Sequence, residues 1–155
     1  MKRSSKAVGD TGITFDSASS WSDTQKEAVA DGLVRLTKGE FLAAHERFED
    51  LWREASLPAR LAFHGLAQLA ASFHQLALGR GRAAVRTWDK ARDKLARAGL
   101  LSERYVQEMT ALHARLGLTA EGPRFFDPAA LGPPELLPRL VLPPADEVDE
   151  RLRSG

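Results

Sequence analysis

The stretch Leu61–Leu78, which reads LAFHGLAQLAASFHQLAL, limits the possible folds of this chain more than any other. At helical spacing it is apolar nearly all round, with His64, Gln68, His74 and Gln75 among its few polar side chains. A helix with no polar face has to be surrounded, so the stretch predicts the central, most buried helix of a bundle. Pro58 suits its first turn, and the Gly-Arg-Gly at 79–81 stops it.

The neighbouring segments supply helices to surround it. Ser22 and Gln25 have capping-box spacing, and Val29, Leu33 and Leu36 then recur on one face, predicting a helix that ends near Gly39. From Glu40, the residues Phe41, Ala44, Phe48, Leu51, Trp52 and Ala55 keep the helical period without a slip. The short ASLP link at 55–58 predicts that this second helix and the central one form an antiparallel hairpin. A fourth helix carries Ala84, Trp88, Ala91, Leu95 and Ala98 on one stripe and stops at Gly99. A fifth starts at Ser102 and shows Tyr105, Met109, Leu112 and Leu116. Trp52 and Trp88 stand at packing positions. The expected fold class is all-α, a compact bundle of about five helices over residues 21–117.

Seven of the 8 prolines lie beyond Thr119, which excludes regular helix over most of 118–155. Phe125, Phe126, Leu136, Leu137, Leu140, Val141 and Leu142 make that segment too apolar for a solvated linker. It reads as an extended Pro-rich arm that packs on the bundle, the alternative being a second subunit or protein partner. Residues 1–20 have a basic start but no apolar core, so they read as a disordered tail and not as a signal peptide.

At 155 residues, 43% hydrophobic and 28% charged, the chain suits one domain, expected in the cytoplasm. No run of about 20 apolar residues could span a bilayer. With no cysteine, there is no disulfide framework and no thiolate chemistry, and a metal would need nitrogen and oxygen ligands. A net charge of +1 is too near neutral to argue for nucleic acid or a membrane surface as a partner, and neither is expected. Seven basic residues between Arg80 and Arg97 face only Asp89 and Asp93, whereas Glu40–Glu54 carries five acids against Arg47 and Arg53. Solvated helix faces are the ordinary reading of both runs.

The candidate chemistry lies in GEFLAAHERFEDLWR, Gly39–Arg53. On a helical wheel His45 falls about 40° from Phe41, and Glu49 about 40° further, at the edge of the dry face. An imidazole and a carboxylate at i, i+4 can chelate one ion, or simply hydrogen-bond. Antiparallel pairing about the link brings Gln68 level with His45 and His64 level with Glu49. The result is a polar seam that reads either as a hydrogen-bond network or as a ligand site. His74 falls about 120° round from Gln68 and faces another helix. His113 has no evident partner. The zinc-protease helix is excluded, because His45-Glu46 is followed by Glu49 and not by a second histidine.

The stretch His45–Trp52, HERFEDLW, together with HGLAQLAASFHQLALG after it, resembles the prokaryotic family of domain of unknown function 309, over roughly residues 30–117. The resemblance implies a small all-helical fold and a suspected metal-binding H-x-x-x-E-x-x-W/Y motif, here His45, Glu49 and Trp52, with Gln68 and His74 also in the family pattern. His64 stands where the family often has Gln, and Gly-Arg-Gly replaces its usual Gly-Asn. Two functions are expected. One is a site for a divalent ion such as Zn, Mn or Ni, hydrolytic or not, built from His45 and Glu49 with His64 or His74 and flanked by Trp52 and Gln68. The other is a non-enzymatic helical interaction module whose seam is structural.

Overall fold

The computed structural model describes residues 20–142; most of the expected tail at 1–20 and the end of the arm beyond Leu142 lie outside the described residues. Five α-helices succeed one another: α1 (Asp23–Thr37), α2 (Phe41–Glu54), α3 (Ala59–Ala77), α4 (Gly81–Arg97) and α5 (Glu103–Arg115). Two 3₁₀ turns, Pro128–Leu131 and Pro134–Leu136, interrupt the extended segment after them. No described residue belongs to a β-strand; the fold is all-α. No helix among these residues is long and apolar enough to cross a membrane.

Helix starts obey local chemistry. At α1 the capping box is complete, with the Gln25 amide donating to Ser22 Oγ at 3.1 Å and the Ser22 amide to Gln25 Oε1 at 2.8 Å. At α5, Ser102 Oγ accepts from the Tyr105 amide at 3.1 Å. Each cap satisfies donors that the first turn leaves without an intrahelical partner, worth about 1 kcal/mol.

Helix α3 occupies the centre, packed between α2 and α4. Ten of its residues are buried, among them Phe63, Leu66, Leu69, Phe73 and Leu76. Ring contacts join them to the surroundings: Trp21 lies 5.1 Å from Phe63, and Phe41 stacks on Phe73 at 5.5 Å. Around them Val29, Ala44, Phe48, Trp88, Leu95 and Met109 close one continuous core. Helices α1 and α2 approach so closely that a Cβ at Gly32 would stand 2.4 Å from the Phe48 ring, which is why glycine occupies that position. On the surface, Asp31 joins the same two helices by accepting from Arg35 at 2.8 Å and lying 3.3 Å from Arg47.

The end of α3 also anchors the arm. The Arg80 amide donates to the Gln75 carbonyl and the Gly79 amide to the Leu76 carbonyl, closing the helix with Gly79 at φ 74°. The Gly79 carbonyl then accepts from the Phe126 amide at 3.0 Å, and the Gly81 amide donates to the Arg124 carbonyl at 2.9 Å. A side chain at Gly79 would be strained and would bring its Cβ to 2.6 Å from the Phe126 carbonyl oxygen.

Three arginines hold the segment further along. Arg82 donates to the Gly122 carbonyl, Arg86 to the Ala120 carbonyl, and Arg115 to the carbonyls of Ala130 and Leu131. Part of the basic run on α4 therefore satisfies backbone oxygens of a segment that has no helix of its own to do so. Leu118, Leu131, Leu137 and Leu140 are buried in the common core. Ending the chain at Gly117 removes these leucines and uncovers the surface beneath them. The expected loss is about 5 kcal/mol, read as a fall in melting temperature and in denaturation midpoint. An unchanged midpoint would show that the segment adds nothing to the core.

His113 of α5 is buried, and its Nε2 has no hydrogen-bond partner among the described residues. Burial holds its pKa below the ordinary 6.5, against the opposing pull of Asp89. The unfolded chain therefore takes up the proton at a higher pH than the folded one. The contribution to stability is intact above about pH 6.5 and declines as pH falls from there. His113→Leu should give a visibly shallower loss of melting temperature between pH 7 and 5 than wild type, while an identical pH profile would exclude His113 as a source of acid sensitivity.

Candidate functional site

The motif residues are placed by the α2–α3 hairpin. Phe41 meets Phe73, and Trp52 meets His64, so residues of the two helices whose numbers add to about 115 stand level. This is the antiparallel pairing that the short link implies. Helix α3 begins from Pro58, whose preceding peptide bond is cis.

Trp52 and His64 make the closest contact at the site, with ring centroids 4.2 Å apart and planes 12° from parallel. The guanidinium carbon of Arg60, one turn before His64, lies 5.3 Å from the centre of the Trp52 ring. Arg60 and His64 share a face of α3 because they are four residues apart. Two side chains of one helix thus grip the indole of the next, combining ring stacking with cation–π attraction.

The surroundings of His64 are positive. Burial is the largest influence lowering its pKa, followed by the charges of Lys94 on α4 and of Arg60. The imidazole is therefore held neutral at pH 7. Glu49, expected opposite His64, instead accepts from Arg53 on its own helix at 2.9 Å. Arg53, one turn on along α2, supplies the nearer cationic partner for this carboxylate.

His45 and Glu49 are both half-buried on successive turns of α2. His45 makes no side-chain hydrogen bond with a described residue. Gln68 is half-buried, and its Oε1, like that of Gln75 two turns on, is enclosed without a hydrogen-bond partner. The seam expected from sequence is thus a row of neighbouring polar groups and not a connected chain of hydrogen bonds. His74 sits half-buried in the last turn of α3. Ten residues separate it from His64, about 15 Å along the helix axis, so those two histidines cannot hold one ion. Among the described residues, no group of three or more His, Cys, Asp or Glu side chains is positioned to hold a metal.

The arrangement brings together Trp52, His64 and Arg60, and it sets His45 beside Glu49. Gln68 follows His64 one turn on along α3, and His74 stands apart from His64 at the far end of the helix. Sequence reasoning missed Arg60, although its spacing from His64 carried the signal. It also missed the carbonyl-binding roles of Arg82, Arg86 and Arg115, which leave no local pattern.

No curated protein and no solved structure matches the chain. A family model does match, over residues 29–87, a span running from within α1 through α2 and α3 into α4 and containing His45, Glu49, Trp52, His64, Gln68 and His74. The family is the one described as Domain of unknown function (DUF309), and it is residues 29–87 of the chain that are similar to it.

Proposed function

We propose that this chain is a non-enzymatic helical interaction module, and that its His45–Trp52 segment is a packing device that fixes the α2–α3 hairpin. The stacking of Trp52 on His64, with Arg60 over the same indole, carries this reading. The contact uses the faces of both rings and so joins the two helices through a broad stacked surface. The charge of Glu49 is matched by Arg53. The module would meet its partner through the segment after α5, where Phe125, Leu136 and Val141 are 65%, 80% and 76% exposed.

A second reading is favoured by one observation. His45 has an imidazole that no described residue engages next to the carboxylate of Glu49, a two-donor arm on which water could complete a shell for Zn²⁺, Mn²⁺ or Ni²⁺. The two readings separate in calorimetric titrations of untagged protein with each ion, using wild type, Glu49→Gln and His45→Ala. The packing device predicts no binding tighter than about 100 µM and a stability change of about 1 kcal/mol for Glu49→Gln. Tight wild-type binding that both variants lose, and that weakens below about pH 6 as imidazole protonates, would establish the metal site instead.

A further inference from the structure

About three turns along the α2–α3 hairpin from the Trp52–His64 contact, at the Phe41–Phe73 level, the segment Leu137–Val141 lines two hollows. One lies against α5 and has a volume of about 770 Å³. The other lies between the segment and α1 and has a volume of about 220 Å³, room for about seven waters. The stacked Phe41 and Phe73 line this smaller cleft, with Leu33 and Leu36 of α1 beside them and Val34, 48% exposed, also at its edge. Its lining is apolar apart from Thr37, Tyr105 and Arg139, and no carboxylate takes part. The Thr37 hydroxyl is engaged in donating to the Val34 carbonyl. Arg139 lines both hollows, is exposed, and makes no ion pair or hydrogen bond with any described residue.

An apolar cleft edged by a guanidinium that no described residue engages, with the Tyr105 hydroxyl in its lining, has the complement of an apolar body ending in one anionic head. We propose that the cleft between α1 and Leu137–Val141 binds a small amphipathic carboxylate, its acyl or aryl body over Phe41, Phe73 and Leu36 and its head on Arg139. The planar guanidinium fork matches a carboxylate in two parallel hydrogen bonds, and a mostly apolar lining with few polar groups is the usual make-up of a small-molecule site. A phosphate or a polyanion would leave most of this lining unused.

The test is calorimetric titration of the full chain with sodium octanoate, with octan-1-ol as the neutral comparison, and a sedimentation run on the same samples. Wild type should bind octanoate tighter than about 1 mM and octanol at least about tenfold more weakly. Arg139→Gln should lower octanoate affinity about tenfold or more and leave octanol unchanged, because it removes the charge and keeps the cleft. Val34→Glu, at an exposed position that folding does not depend on, should weaken both probes and octanoate the more. The proposal is overturned if octanoate fails to bind, if Arg139→Gln binds it as tightly as wild type, or if octanol matches it. A wild-type dimer that Val34→Glu dissociates, with no octanoate taken up, would assign the cleft to a second copy of the chain and overturn it equally.

Discussion

The rest of the structure depends on burying α3 from every side. A helix that exposes apolar surface all round is unstable until other elements cover it, and each covering element gains a partner for its own apolar stripe. Phe63 and Phe73 meet aromatic rings from Trp21 and Phe41, while Leu66, Leu69 and Leu76 are completely enclosed. Fully burying one such side chain is worth about 1.5–3 kcal/mol, so a few of them match the whole net stability of a domain this size. The closeness of the packing comes from small residues at the crossings, with Gly32 giving way to the Phe48 ring.

The same demand shapes the proline-rich segment after α5. Such a segment cannot pair its own backbone as a helix does, and a segment covering a core has carbonyls that need donors. Arg82, Arg86 and Arg115 supply them, and Gly79 and Gly81 add two main-chain bonds. The leucines of the segment can then turn inward without leaving the backbone unsatisfied. Its other apolar residues, Phe125, Leu136 and Val141, remain outward and give the molecule its most exposed apolar side chains after α5.

Local signals made much of this legible. Ser22 with Gln25, Ser102, and the glycines after α1, α3 and α4 mark helix ends by chemistry that operates within a few residues, and the structure uses them as read. The unbroken period from Phe41 to Trp52 set the inward face of α2, and the short link set its pairing with α3. Rotation and side-chain choice were not legible. Periodicity cannot show that Trp52 lies flat on His64 or that Glu49 turns to Arg53, because both depend on side-chain rotamers and on the volume available where two helices cross. The contacts of Arg82, Arg86 and Arg115 with carbonyls up to 40 residues away are also set by the path of the chain. Trp21, just ahead of the α1 cap, packs on Phe63 although no helical period reaches it.

The motif and the cleft are separate consequences of one scaffold. The α2–α3 hairpin carries His45, Glu49 and Trp52 along α2, and Phe41 and Phe73 at its other end line the hollow beside Leu137–Val141 together with residues of α1. Both sites require α3 to be the last element to open. Native-state hydrogen exchange measures this directly. Amides from Phe63 to Leu76 should exchange only through global unfolding, at the free energy found by denaturation, with α5 and residues 118–140 opening at lower free energies. Amides of α3 that exchange through smaller openings than those of α5 would contradict the central place given to this helix.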